Sequence, residues 1–317
     1  MTQKDLIRGP RSILLVIIVA LAWTRFLYCQ HCPVITQHQH QPSSTTPHEN
    51  PNLDSSDVAN LLPDIPELPD KNDGSSRILH RSWKNADIPT VMQKWTRTCS
   101  SLHTSWTHIL WTDAMNRALI ATHYSWFLET YDSFERNIMR ADSVRVFYLH
   151  RYGGVYMDLD FECLRPLDPL LRLKHALLGY LSEDYEYEHN IPNAWMASQP
   201  NHEFWLFAAR LMMFNRYNPE IDKNSAETMT GPVMLYTAYH KWMARYRNTS
   251  DPTHKVEVLP SSLIYPFDWH TPSPAEKFCW ARAQSFDQEE CKKELDVVGK
   301  KSYVMTYWSH SWEKLKP

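Results

Sequence analysis

Glycine is scarce in this 317-residue chain, which has seven, and two of them stand side by side as Gly153 and Gly154. Glycine accepts backbone angles that other residues resist, so a doubled glycine in so sparing a sequence marks a sharp change of direction. A basic excess is also missing. Lys and Arg total 33 against 36 Asp and Glu, a net charge of −3 with a pI near 6.6, which counts against a nucleic-acid partner. There is no internal repeat, and no second hydrophobic span follows the apolar N-terminal segment.

Cysteine is the next shortage, with six in the chain. Cys29 and Cys32 have the spacing of a redox motif but no strand–helix–strand unit around them, which removes that reading. At the edge of an apolar segment they suit intermolecular pairing or palmitoylation. Cys279 and Cys291 are close enough to close a small loop, whereas Cys99 and Cys163 read as free core residues. Aromatics, by contrast, are plentiful: 13 Trp and 16 Tyr serve mainly the core, with a few available to stack on sugar or base rings.

The N-terminus carries an unbroken apolar run from Ile13 to Trp23, extended by Phe26, Leu27 and Tyr28 and preceded by Lys4, Arg8 and Arg11. The stretch LAWTRFLYCQ lacks the small residues of a good cleavage site, which favours a signal anchor over a cleaved signal peptide. The expected order is a cytoplasmic tail over residues 1–11, a transmembrane anchor over 12–28 and a disordered stem over 29–76. Arg25 can snorkel from the far end of the span, and so short a span suits a thin early-secretory membrane. The stem reading rests on stretches such as QHQHQPSSTTPHENPN and LLPDIPELPD, which offer little to bury. Its histidines, His31, His38, His40 and His48, read as solvated tract residues and not as metal ligands. Asn248-Thr249-Ser250 is an N-glycosylation sequon, usable if this part of the chain is lumenal.

Residues 77–317 are long enough for one large α/β domain. RILHRSW predicts a strand, IPTVMQKWTRTC a helix begun near Pro89, SWTHILWTD a second strand and AMNRALIATH a second helix. Such alternation predicts a layered fold on a mostly parallel sheet. A further helix through FERNIMRADSVRVFYLHRY, capped by Asp132 or Ser133, sets Ala141, Asp142, Arg145, Tyr148 and Leu149 on one face. Gly153 then ends the helix and Gly154 turns the chain into the strand VYMDLDF. On that strand Asp158 and Asp160 are two residues apart and so project together, with Leu159 pointing into the opposite layer. Two carboxylates facing one way repel each other unless a cation sits between them, and Mg2+ or Mn2+ takes oxygen ligands while keeping positions for phosphate oxygens. The pair therefore predicts a metal–phosphate site at the C-terminal edge of a strand. A bare Asp-x-Asp is common by chance; the helix, the double glycine and the apolar strand before it are what make this one specific.

This composite, Arg140-Ala141-Asp142, Arg145 and then Gly153 through Asp160, resembles the DXD-containing sugar transferases of glycosyltransferase family 32. That family includes fungal inositol-phosphoceramide mannosyltransferases and an animal lactosylceramide galactosyltransferase. The resemblance runs from Ile78 to Trp312, through ILHRSWKNADIP, NAWMASQPNHEFW, TGPVMLY, VLPSSLIYPFDW and the closing SHSW. It implies a GT-A fold, a nucleotide-sugar-binding sheet with helices on both sides. It also implies a retaining, metal-dependent transfer from GDP-mannose, or alternatively a UDP-sugar such as UDP-galactose, to a sphingolipid or glycan in the Golgi lumen.

By the same resemblance Asp160 ligates Mn2+ or Mg2+ directly, while Asp158 reaches it through water or holds the ribose. Asp142 and Arg145 grip the donor sugar. His80 and Trp83 belong to the nucleotide side, with Trp83 stacking on the base or serving the core. His310 is the candidate third metal ligand and Trp312 approaches the diphosphate, although His310 is spaced more closely to its Ser-Trp pair than in many relatives. The fungal relatives commonly carry further hydrophobic spans after the catalytic domain, a departure that bears on the acceptor more than on the chemistry. Two other readings compete. A haloacid-dehalogenase phosphatase also starts from paired aspartates, but it needs Thr or Val where Glu162 stands. A catalytically silent sugar- or nucleotide-binding protein would share the fold and differ in turnover.

Overall fold

The computed structural model describes residues 77–309, apart from 173–174 and 249–250. The anchor, the stem, Cys29 and Cys32, Thr249 and Ser250 of the sequon, His310 and Trp312 all lie outside the described residues. Among the described residues no helix is long and apolar enough to cross a membrane.

Eight strands are present among them. They are β1 (Ile78–Ser82), β2 (Thr107–Trp111), β3 (Gly154–Met157), β4 (Phe161–Cys163), β5 (Ala176–Gly179), β6 (Trp195–Ser198), β7 (Val256–Leu259) and β8 (Val304–Thr306). Six form one sheet in the order β2-β1-β3-β6-β5-β7, and β4 pairs with β8 in a separate antiparallel ribbon. β1 runs parallel to β2 and β3, and β5 runs parallel to β7. β6 is antiparallel to both of its neighbours, so the expected mainly parallel sheet is interrupted at its centre.

The longer helices are α1 (Thr90–Leu102), α2 (Asp113–His123), α3 (Ser125–Asp132), α4 (Asn137–Tyr152), α5 (Glu203–Tyr217), α6 (Pro232–Tyr246) and α7 (Gln288–Glu294). The two strands and two helices expected between Ile78 and His123 are all found. Alternation along β1 and β3 feeds two cores. Ile78 and Tyr156 join the aromatic cluster under α4, with Trp111, Phe147 and Tyr148. Leu79, Val155 and Met157 join the cluster on the other side, with Trp95, Phe161 and Tyr307. Period-2 alternation with both faces covered is what a buried strand of a layered α/β fold requires.

Two expectations need correction. Asp132 and Ser133 do not cap α4. They end α3, where the Ser133 amide bonds to the Glu129 carbonyl, and α4 starts at Asn137 without a side-chain cap. Asp142 to Leu149 are all buried, so α4 is enclosed on nearly every side. Cys99 and Cys163 are not free. They form a disulfide with Cα atoms 4.8 Å apart, pinning α1 to β4, where the Cys163 amide also donates to Thr98 Oγ1 at 2.9 Å. Cys279 and Cys291 are bonded as expected.

Candidate donor-sugar site

The double glycine does what its placement predicts. Gly153 ends α4 at φ 63° and Gly154 opens β3 at φ 85°, both positive. Space forbids a side chain at either: a Cβ on Gly153 would lie 2.6 Å from the Pro200 nitrogen, and one on Gly154 would lie 2.4 Å from the Ile78 carbonyl oxygen. His80 secures this junction from below. The Trp111 indole N–H donates to His80 Nδ1 at 3.1 Å, which leaves the proton on Nε2 for the Gly153 carbonyl at 2.9 Å. Full burial lowers the His80 pKa to about 4 and keeps the ring neutral. His80 is thus a core residue with both nitrogens occupied, and the expectation that it touches the nucleotide is corrected.

Asp158 and Asp160 are close, but not by way of a pleated strand. The Asp158 amide still bonds to the Ala194 carbonyl (2.9 Å), in register with the β3–β6 pairing, but the chain then turns at Leu159 and Asp160 so that the Phe161 amide meets the Asp158 carbonyl (3.3 Å). Leu159 points into the far core as expected. Glu162, the third acid in this stretch, is taken out of the site by Lys292 at 3.0 Å and the Tyr307 hydroxyl.

Arg145 organises the carboxylates. Its Nη2 lies 2.8 Å from Asp142 Oδ1 and 3.2 Å from Asp158 Oδ1, and its Nη1 donates to the Asn193 carbonyl at 2.9 Å. The guanidinium sits 4.8 Å from the ring centre of Tyr156, whose hydroxyl donates to Asp158 Oδ1 at 2.6 Å. Asp142 and Arg145 are 7% and 6% exposed, which excludes a solvated surface pair. Burial pushes Asp142 up to about 7 against the pull of Arg145. Asp158 is raised as well, by burial first, with Arg145 lowering it and Asp160 raising it.

The oxygens left over fit a hard cation. Tyr156 and Arg145 occupy Oδ1 of Asp158, and the Ser309 amide occupies Oδ2 of Asp160 at 2.8 Å. The second oxygen of each carboxylate has no donor among the described residues. Two carboxylates are fewer ligands than a divalent ion takes, and among the described residues no group of three or more His, Cys, Asp or Glu would hold a metal alone. The arrangement therefore suits an ion completed by phosphate oxygens. Trp83 lies just past β1, half-buried, and its indole N–H is buried without a partner.

Sequence reasoning gave no role to Asn193, Tyr156 or Ser309, which hold Arg145, Asp158 and Asp160 in place. Asn193 and Ala194 come immediately before β6 and support Arg145 and Asp158 together. The loop leading to them is closed at its base, where the Leu181 amide meets the Asn190 carbonyl at 2.9 Å and the Ser182 amide meets Asn190 Oδ1 at 2.8 Å. Its tip carries Glu183, Asp184, Glu186 and Glu188, with Asp184 bound to His270 at 2.9 Å and Tyr187 stacked on the same ring.

Residues 89–176, which carry this buried Asp–Arg pair and the DXD turn beside it, match the family described as "Glycosyltransferase sugar-binding region containing DXD motif". The resemblance to glycosyltransferase family 32 is thereby shown, on the side of its inositol-phosphoceramide mannosyltransferases. The chain is 37% identical over 175 residues to mannosyl phosphorylinositol ceramide synthase CSH1 of Saccharomyces cerevisiae, covering 55% of this chain and 45% of that one. It is 38% identical over 190 residues to inositol phosphoceramide mannosyltransferase 3 of Schizosaccharomyces pombe, covering 59% and 50%. Lactosylceramide 4-alpha-galactosyltransferase of Rattus norvegicus is 27% identical over 194 residues, covering 60% and 45%. The chain spans about half the length of these curated relatives.

Proposed function

We propose that this protein is a GT-A-type, metal-dependent, retaining glycosyltransferase that moves a hexose from a nucleoside-diphosphate sugar to a hydroxyl of a sphingolipid headgroup or glycan. Mannose from GDP-mannose is the favoured donor, in line with the named mannosyltransferase relatives, and a UDP-sugar is the second choice. The observation that carries the reading is the Arg145 fork, which joins Asp142, Asp158 and the Asn193 carbonyl at one turn.

In this reaction Asp142 and Arg145 hold hydroxyls of the donor sugar as it gains oxocarbenium character. Arg145 is already fixed by three protein oxygens, so this grip needs no rearrangement when charge develops. Asp160 would hold a Mn2+ or Mg2+ ion, with Asp158 reaching it through water or holding the ribose, His310 as a third ligand and Trp312 against the diphosphate. What such an ion would supply is positive charge to offset that of the leaving diphosphate. Front-face attack is what the family resemblance implies. The acceptor oxygen bonds to the anomeric carbon as its bond to the diphosphate breaks, and a diphosphate oxygen takes the acceptor's proton.

The localisation proposed is a single-pass type II protein of the Golgi membrane with its catalytic domain in the lumen. Two disulfides support an oxidising compartment. The test uses the full chain in detergent with Mn2+, GDP-mannose or UDP-galactose, and inositol phosphoceramide or lactosylceramide, with the product read by mass spectrometry. Transfer is expected from wild type and lost in Asp160→Ala. Nucleotide affinity without turnover would leave a silent binder, and full activity of Asp160→Ala would remove the metal role.

A further inference from the structure

Arg81 is unusual for a buried arginine. It is 6% exposed on β1, on the opposite face of the strand from His80. One guanidinium nitrogen, Nη2, reaches only the thioether of Met157 at 3.5 Å, a weak acceptor, and the other, Nη1, is buried with no partner. No carboxylate among the described residues lies within ion-pair distance of it. Burying a guanidinium without an anion is costly, and a natural fold keeps one where a bound anion meets the need.

The surroundings identify the anion. Arg81 sits beside the strand that leads into the DXD turn, and Asp160 and Asp158 are the acids that act most strongly on its charge. Two residues on, Trp83 presents a second buried and unpartnered N–H at the same end of β1. Across the sheet Arg145 approaches Asp158 from the α4 side and leaves its own Nε without a partner. Arg81 thus touches Met157, the residue before the acidic turn, on one face of the sheet, Arg145 meets Asp158 from the other, and each keeps a buried donor without a partner. Carboxylates cannot serve them without adding to the repulsion there. A diphosphate can, because it brings several acceptor oxygens and its own negative charge.

We propose that Arg81 is a donor-binding residue that holds the nucleotide's diphosphate on the side of the sheet away from Arg145, with Trp83 as its neighbour. This rests on the sugar-transferase reading given above. It adds a consequence that a packing role would lack. A fixed cation near Asp160 weakens capture of a divalent ion by the empty protein and strengthens capture of diphosphate, so the two ligands respond to Arg81 in opposite directions.

The test compares wild type, Arg81→Met and Arg81→Lys as full chains in detergent. Calorimetry with GDP, UDP and guanosine in the absence of metal gives the nucleotide affinities, and electron paramagnetic resonance of free Mn2+ gives metal affinity without nucleotide. In Arg81→Met the preference for the nucleoside diphosphate over the nucleoside is expected to fall at least tenfold. Mn2+ alone is expected to bind more tightly, and the melting temperature to stay level or rise because an unpaired buried charge is gone. Arg81→Lys should keep most of the diphosphate preference. An unchanged preference in Arg81→Met, with GDP or UDP still bound, would overturn the role of Arg81 and leave the transferase reading standing. Failure of the wild type to bind either diphosphate would overturn both. Unfolding of Arg81→Met would also overturn the proposal, since it would make Arg81 a structural residue.

Discussion

Replacing both members of the Cys99–Cys163 bond by alanine tests how far this covalent link holds the domain. The two residues are 64 positions apart in sequence, and Cys163 follows Asp160 by one short strand. Chain-entropy reasoning gives about 4 kcal/mol for closing a loop of that size and about 3 kcal/mol for the 12-residue Cys279–Cys291 loop. With a urea m-value of about 2–3 kcal/mol per M, the Cys99→Ala/Cys163→Ala protein should unfold at a midpoint about 1.5–2 M lower than wild type. Cys279→Ala/Cys291→Ala should shift it less. Alanine is chosen so that no buried hydroxyl is left without a partner. The assay is urea unfolding followed by tryptophan fluorescence, with reduced wild-type protein as the matching control. A shift below about 0.3 M in the Cys99/Cys163 variant, or a larger shift in the other pair, would refute the reasoning.

Arg145→Met leaves Asp142 buried without its cation, and should cost about 3–5 kcal/mol by denaturant unfolding along with all transfer activity. Gly154→Ala forces a methyl group to 2.4 Å from the Ile78 carbonyl at φ 85°, and should lower stability by at least about 2 kcal/mol in the same assay. His202 is held neutral by burial with a pKa lowered to about 4, accepting from the Phe204 amide on Nδ1 and donating from Nε2 to the Lys255 carbonyl. Its folded pKa lies below the unfolded 6.5, so its share of stability is intact above pH 6.5 and is lost as pH falls toward 4. Relative to His202→Asn, which can still cap α5, wild type should lose about 3 kcal/mol across that window in unfolding titrations.

The parts of the fold legible in the sequence are those fixed locally. The glycine pair, β1, α1, β2 and α2 follow from patterns a few residues long, and the Asp142, Arg145, Asp158 set comes from the short family motif that the resemblance rests on. What escaped depends on distant chain. Asp158 is held at the end of the sheet by Ala194, 36 positions away, and the chain turns immediately after it, so Asp160 does not continue the strand. Cys99 meets Cys163 only once α1 lies on β4. His80, beside a tryptophan in a functional stretch, reads as a ligand until α4 and Trp111 bury it. Nothing in RILHRSW marks Arg81 as buried, and its burial comes from the layer packed over it.

The knot formed by Leu181, Ser182 and Asn190 separates the acidic tip of its loop from Asn193 and Ala194, which anchor Arg145 and Asp158. The tip is tied elsewhere: Asp184 and Tyr187 hold His270, and the Trp269 indole N–H donates to the Tyr187 hydroxyl at 3.4 Å, with Trp269 set edge-on against Trp308, the neighbour of Ser309. Exchange of Glu183, Glu186 or Glu188 leaves those ties intact, whereas loss of Tyr187 is felt two aromatic contacts away, beside the amide that holds Asp160.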